Sequence, residues 1–122
     1  SVLLSGDTRY DENLIAHGAG LDILVHETAV APDSLQALDT VKAVLAHHTT
    51  PEQAGDVFAR TKPKLAVFSH ITLIQDGANP PVSEAEIERR TRQKWNGGLV
   101  VGQDLMRMTI VPDVVQVDRI SP

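Results

Sequence analysis

The sequence predicts a layered α/β domain, and three short apolar runs are the basis of that prediction. Each run is typical of a buried β-strand and ends on a side chain that can bind a metal or transfer a proton. The runs cover residues 1–7, 21–27 and 64–70 and end on Asp7, on His26 with Glu27, and on His70. Ligands bind beyond the carboxyl ends of strands in such sheets, so the three ends predict one shared polar site.

Composition limits the classes of function. The chain has 122 residues, enough for one domain, and carries 16 acidic and 11 basic residues for a net charge of −5. That balance disfavours a nucleic-acid-binding surface, although bound metals would let an acidic protein act on an anionic substrate. The lack of cysteine excludes disulfides and thiolate metal sites and suits a reducing, cytoplasmic location. No apolar run approaches the roughly 20 residues of a membrane span.

The first residues also carry information. The chain starts at Ser1, without a methionine, and enters the first predicted strand at once. Native termini usually begin with a few dispensable residues, so we expect this sequence to be a piece of a longer protein, cut just before a strand.

The other elements follow from local patterns of apolar residues and stop signals. Residues 8–20 predict a short helix ended by glycines, and residues 28–33 predict a turn. Apolar residues spaced along 35–45 predict one amphipathic helix. Two capping boxes begin the next helices, and the tail predicts three short strands. The capping pairs are Thr50 with Gln53 and Ser83 with Glu86, and the tail strands are residues 99–101, 105–111 and 114–120.

Two candidate site residues are acidic. Asp7 follows Gly6, which lets the chain turn sharply and leaves a carboxylate that can bridge two cations. On local sequence alone, a turn or helix-capping role for Asp7 is the favoured interpretation. Glu27 follows His26, and a carboxylate beside an imidazole can orient it for acid–base chemistry or simply pair with a lysine.

The other candidates are histidines. His48 precedes a predicted helix N-terminus, which favours a neutral imidazole and an anionic group nearby. His70 ends the most apolar strand, where a lone histidine is more often structural than a ligand. His47 and His17 are expected to be packing or surface residues. Asp and His together suit Zn²⁺, Mn²⁺ or Fe, but two ligands do not complete a site.

Four motifs in order resemble the C-terminal half of the metallo-β-lactamase fold. The nearest branch holds RNase Z with related arylsulfatase-like and phosphodiesterase-like hydrolases. The resemblance implies half of an αββα sandwich, a mixed sheet with flanking helices, over residues 1–122. The motifs are Ser5-Gly6-Asp7-Thr8, His26-Glu27-Thr28-Ala29, His48-Thr49-Thr50-Pro51-Glu52-Gln53-Ala54 and Phe68-Ser69-His70, and a later run at residues 102–106 extends the match.

The resemblance also implies roles for single residues. Asp7 would bridge two divalent metal ions, with zinc expected first and manganese or iron as alternatives, and His70 would bind one of them. His48 would donate a proton to the leaving group, and Glu27 would orient His48. The implied reaction is binuclear metal-dependent hydrolysis of a small phosphodiester, sulfate ester or related ester by a metal-bound hydroxide.

Departures from the family pattern qualify these expectations. The His-x-His-x-Asp-His signature, which supplies most metal ligands in the family, is absent from the sequence. An N-terminal half of the same protein is therefore an expected partner, and this fragment alone is expected to be inactive. His70 is followed by Ile71 rather than the Ser-x-Arg-Tyr element of RNase Z proteins, which favours a small anionic substrate over tRNA. A homodimer is left open.

Three alternatives stand beside this hypothesis. An RNase Z-type tRNA 3′-processing endonuclease would need a basic surface elsewhere in the protein. A non-catalytic receiver-like or ligand-binding α/β domain would bind Mg²⁺ at Asp7 and leave His48 and His70 without a role. A degenerate scaffold would have lost part of the set, yet Asp7, Glu27, His48 and His70 are all present.

Overall fold

The computed structural model describes residues 1–103 and 106–119. Its elements alternate between strands and helices before a final hairpin. In chain order they are β1 (Val2–Leu4), α1 (Glu12–His17), β2 (Ile23–Val30), a 3₁₀ turn (Asp33–Leu35), α2 (Asp39–Ala46), α3 (Pro51–Thr61), β3 (Leu65–Leu73), α4 (Glu84–Thr91), β4 (Leu99–Val101), β5 (Met106–Val111) and β6 (Val114–Arg119). None of the helices in this part of the chain is long and apolar enough to cross a membrane.

Strands β1 to β4 form one parallel sheet in the order β1-β2-β3-β4. The predicted α/β fold class is confirmed, with helices joining successive parallel strands as the sequence indicated. Strands β5 and β6 pair with each other as an antiparallel hairpin, which is a second sheet of two strands. The antiparallel part of the predicted mixed sheet is therefore this separate hairpin.

The two faces of the parallel sheet are covered by different elements. On one face, side chains of β2 and β3 pack against α1, α3 and α4 and make the main core, centred on the ring contact between Phe58 and Phe68. On the other face, Ile23, Leu65 and Val67 pack against apolar residues of the hairpin. Alternate strand residues point to opposite faces, so one apolar run supplies both layers.

The predicted helix caps at the starts of α3 and α4 are present to different degrees. Thr50 caps it by accepting a hydrogen bond from the Gln53 amide, and the Gln53 side chain returns one to the Thr50 amide, so the predicted capping box is present. Ser83 likewise accepts from the Glu86 amide, but Glu86 directs its carboxylate to Arg89 and Arg90 instead of back to Ser83. The second predicted box is therefore only half formed.

Several predicted boundaries are wrong. Strand β2 continues through residues 28–30, which were predicted as a turn, and β3 continues to Leu73. The single helix predicted over 35–45 is split: Leu38 is an exposed N-cap, and α2 begins only at Asp39. Of the predicted tail strands, 99–101 matches β4, and the other two match β5 and β6 over the described residues; residues 105 and 120 lie outside these.

Candidate active site

The candidate residues gather where β2 and β3 change register. The two strands pair regularly up to His26 opposite Phe68, and pairing resumes with Thr28 opposite Ile71. The irregularity contains Glu27, Ser69 and His70. A bulge of this kind re-aims side chains within a strand and is frequent near active sites. Glu27 and His70 therefore lie inside paired strands, whereas the sequence predicted them at strand ends. Asp7 follows the carboxyl end of β1, as predicted.

Asp7 and His70 form the first of two pairs. The His70 Nδ1 atom lies 3.0 Å from Asp7 Oδ1, and both side chains are more than half exposed, at 58% and 64%. Gly6, with φ +62°, makes the turn after β1 that the sequence predicted, and His70 itself has φ +49°. A left-handed conformation at histidine is a strained backbone, and such strain concentrates at functional positions.

Glu27 and His48 form the second pair. His48 Nδ1 donates a hydrogen bond of 3.2 Å to Glu27 Oε1. The Glu27 side chain is 1% exposed and the His48 side chain 21% exposed, so a buried carboxylate holds a partly open imidazole. An ionised carboxylate only accepts, which puts the proton on Nδ1 and leaves the His48 Nε2 atom for other partners.

The same Glu27 oxygen accepts a second hydrogen bond. The Thr8 amide donates to Glu27 Oε1 at 3.0 Å, and Thr8 directly follows Asp7. Ser5 supports this corner: its hydroxyl accepts from the Glu27 amide at 3.0 Å and donates to the Gly6 carbonyl at 2.8 Å. Glu27 thereby connects the segment that carries Asp7 with the segment that carries His48.

The other histidines take different positions. His26 is buried, its Nδ1 atom bonds to the Glu27 carbonyl at 2.8 Å, and its ring edge meets Phe58. Burial lowers the pKa of His26 and outweighs that bond and the nearby Glu27 charge. His47 is exposed at the end of α2, and His17 is exposed with its ring on the Asn13 carbonyl. These three are separate from the two pairs.

A cavity of about 260 Å³ opens beside the Asp7–His70 pair and reaches Glu27. Residues 4–7, 25–27 and 69–70 line it. A second cavity of about 350 Å³ shares Val25, Ser69 and His70 with the first and is otherwise lined mainly by apolar residues, including Met106 and Met108. The arrangement therefore offers adjoining spaces with His70 at their junction.

The donor set suits a metal only in part. Within residues 1–103 and 106–119, no group of three or more His, Cys, Asp or Glu side chains is arranged to hold an ion. Asp7 and His70 provide an oxygen and a nitrogen close together, which is the right chemistry for zinc, manganese or iron. They are two ligands, whereas a catalytic zinc usually has three from protein.

Sequence reasoning missed the supporting residues. Thr8, Thr49 and Ser5 hold the candidate residues in place through hydrogen bonds, and each lies one or two positions from a candidate. Their only sequence signal is a short hydroxyl side chain beside a chemically active one. That signal is too common to single them out.

Comparison with known proteins agrees with this topology. No family model matches the sequence. The chain is 35% identical over 72 residues to Ribonuclease Z of Anoxybacillus flavithermus, a match that spans 58% of this chain and 21% of that protein. The metallo-β-lactamase fold protein YhfI of Bacillus subtilis has a similar structure, with a TM-score of 0.62 at 15% identity over 84% of this chain and 36% of YhfI.

The parallel sheet, its helices and the structural match define a metallo-β-lactamase fold. The chain has that fold, and its sequence is similar to Ribonuclease Z over 72 residues. It spans about a fifth of the ribonuclease and about a third of YhfI. The predicted fold and the predicted resemblance are thus confirmed, while the roles predicted for single residues and the assignment of residues 1–122 to a C-terminal half stay predictions.

Proposed function

We propose that the protein containing this chain is a metal-dependent hydrolase of an anionic ester, with a phosphodiester first and a sulfate ester as a related substrate. The observation that carries the proposal is the buried Glu27 carboxylate, whose single oxygen Oε1 receives both His48 and the amide next to Asp7. This arrangement holds His48, a proton donor, near Asp7, whose carboxylate is of a type that binds metals. A metal side and an acid side in one site are the two parts that ester hydrolysis at phosphorus requires.

Asp7 and His70 are the residues that would hold the metal ions, with further ligands from outside this chain. When bound, two divalent ions supply activated water and neutralise charge on the substrate. Zinc is the first candidate, followed by manganese and iron. Because the described residues supply two such ligands, the 122-residue chain by itself is expected to show little or no turnover.

His48 carries the proton chemistry of this chain. Because Glu27 accepts from Nδ1, protonated His48 presents an Nε2–H that can donate to the leaving oxygen. Water adds to phosphorus, the bond to the leaving oxygen breaks, and that oxygen takes the imidazolium proton. The neutral imidazole then regains a proton released from the water. Glu27 holds the ring in orientation throughout the cycle.

The test uses the whole protein after chelation and reloading with zinc, manganese or iron. We expect metal-dependent turnover of a phosphodiester with an alkoxide leaving group, which needs a proton, and a loss of about 100-fold or more in kcat on this substrate for Glu27→Gln. Glu88→Gln is the matched control because Glu88 is an exposed α4 residue paired only loosely, at 3.8 Å, with Arg92. A metal-loaded protein that hydrolyses no phosphate or sulfate ester would contradict the proposal.

Ribonuclease activity is the second candidate, and the similarity to Ribonuclease Z over 72 residues favours it specifically. It would make RNA, and in particular a tRNA 3′ extension, the phosphodiester substrate. The net charge of −5 means that other parts of the protein would have to bind the phosphate backbone. Cleavage of a 3′-extended tRNA with affinity that falls steeply with salt would select this candidate over a small substrate.

A further inference from the structure

A closed ring of hydrogen bonds links the two pairs of the candidate site. Thr49 Oγ1 donates to the Thr8 carbonyl at 2.6 Å, and the Thr8 amide donates to Glu27 Oε1 at 3.0 Å. The same oxygen accepts from His48 Nδ1, and His48 is joined to Thr49 by the peptide bond. Thr8 is thus held on both sides of its own backbone, at the carbonyl by Thr49 and at the amide by Glu27.

Thr49 is itself fixed on the sheet. Its carbonyl accepts two hydrogen bonds from β2, one from Thr28 Oγ1 and one from the Ala29 amide, both at 2.9 Å. Thr49 and Thr28 are each 0% exposed. In a buried setting these bonds are protected from competition with water, so they define the position of Thr49 closely. The residue then transmits that position to Thr8 through its hydroxyl.

The hydroxyl joins segments far apart in the chain. Thr8 and Thr49 are separated by 41 positions, and each directly follows a candidate residue, Asp7 and His48 respectively. The Thr49–Thr8 bond therefore sets how far the carboxylate of Asp7 lies from the imidazole of His48. No other side-chain hydrogen bond of Thr49 exists among the described residues, so its hydroxyl is committed to this one link.

We propose that Thr49 is a positioning residue, which holds the proton donor His48 at a fixed separation from the metal-binding side chain of Asp7. This inference rests on the proposed function, because it gives Thr49 a purpose in the hydrolysis assigned to the site. Thr49 acts through Thr8, Glu27 and His48 and takes no direct part in the chemistry. Loss of its hydroxyl should misplace the acid while leaving the metal ligands in the chain.

The competing explanation is that Thr49 merely satisfies a buried carbonyl. Thr61 offers the matched control, because it is equally buried, at 1% exposed, and its Oγ1 donates to the Val57 carbonyl in its own helix at 2.8 Å. Both threonines lose one buried hydrogen bond on replacement by valine. Of these two hydroxyl hydrogen bonds, only that of Thr49 connects the segment carrying Asp7 with the segment carrying His48.

The experiment compares the wild type, Thr49→Val, Thr49→Ser and Thr61→Val in the whole metal-loaded protein. Each is assayed on a phosphodiester with a nitrophenolate leaving group, which needs no proton, and on one with an alkoxide leaving group, which needs one. We expect Thr49→Val to lose about tenfold or more in kcat on the alkoxide substrate beyond its loss on the nitrophenyl substrate. Thr49→Ser should recover the wild-type ratio, and Thr61→Val should not change it. Equal losses of Thr49→Val on both substrates would overturn the inference.

A second measurement does not depend on activity. Nitrogen-15 NMR of the histidine rings reports whether the Nδ1 proton of His48 is hydrogen-bonded to a carboxylate. We expect that signal to shift in Thr49→Val and to stay unchanged in Thr61→Val. A protein that hydrolyses no ester refutes the proposed function, and an unshifted His48 signal in Thr49→Val then refutes the positioning role separately.

Discussion

Asp7 and His70 meet at 3.0 Å across the irregular part of β2, a strand to which neither residue belongs. Asp7 follows β1 and His70 lies in β3, and β2 runs between those two strands. Neighbouring strands are about 4.8 Å apart, so the two backbones are separated by roughly twice that distance. The left-handed turns at Gly6 and His70 direct the side chains towards each other over the irregular part of β2.

The first prediction concerns metal affinity. In the whole protein, Asp7→Asn and His70→Ala should each weaken zinc binding by about 100-fold or more. Even the mutation of a residue that only hydrogen-bonds to a metal ligand typically lowers metal affinity by about 10–100-fold. Competition with a chelator of known affinity measures the change. His17→Ala is the control, because His17 is exposed and bonded within its own helix. Unchanged affinity in both site variants would remove Asp7 and His70 from the metal site.

A second prediction separates backbone strain from ligand chemistry at position 70. With φ at +49°, a glycine suits this backbone better than any residue that carries a Cβ. His70→Gly should therefore be more stable than His70→Ala by about 1 kcal/mol, although both lose the imidazole. Urea unfolding of the metal-free proteins gives the difference. If the unfolding free energy of the alanine variant equals or exceeds that of the glycine variant, the backbone at His70 is not strained.

A third prediction follows from the lowered pKa of His26. The folded protein binds a proton at this buried ring more weakly than the unfolded chain, whose pKa is near the ordinary 6.5. As the pH falls below that value, the unfolded state gains a proton that the folded state resists, so stability decreases with falling pH. The effect is at most about 1.4 kcal/mol per pH unit.

Unfolding free energies between about pH 7 and about pH 5.5 test this sign. His26→Gln should flatten the decline, whereas the exposed His17→Gln should keep it. A decline of the same size in all three proteins would assign it to other groups and contradict the role of His26.

A fourth prediction concerns the contact between α3 and α4. A Cβ at Gly55 would lie 2.6 Å from the Thr91 carbonyl oxygen and 3.1 Å from the Lys94 Cβ atom. Gly55→Ala should lower the unfolding free energy by about 1–3 kcal/mol through overpacking, despite the better helix propensity of alanine. Thermal or urea unfolding measures it. An increase in stability would show that the two helices can separate without loss.

Much of the fold follows from short-range patterns. Short apolar runs predicted the strands, capping boxes predicted the starts of helices, and the polar ends of the apolar runs predicted a shared site. The prediction failed at the carboxyl ends of β2 and β3, which both continue further than expected. Thr28 and the following residues before Pro32 looked like a turn, but Thr28 contributes a hydroxyl to Thr49 and stays in the sheet. Pairing with β3, which no local pattern records, decides that outcome.

The internal geometry of the site could not be predicted in the same way. The sequence pointed to Asp7, Glu27, His48 and His70, and the structure brings them together as two pairs. It could not show that one Glu27 oxygen serves two donors, because the Thr8 amide carries no side-chain signal. Backbone donors are present at every non-proline residue, so only the three-dimensional arrangement reveals which ones matter.

The continuation of β2 and β3 beyond the bulge has a consequence for how the site moves. Thr28, Ala29 and Val30 pair with Ile71, Thr72 and Leu73, so hydrogen-bonded sheet flanks Glu27 and His70 on both sides. A fraying strand end would open in a local fluctuation, but a segment paired on both sides opens only with the larger cooperative unit. The amide hydrogens around the site should exchange with solvent as slowly as those of the core, and the catalytic geometry should survive until the domain itself unfolds.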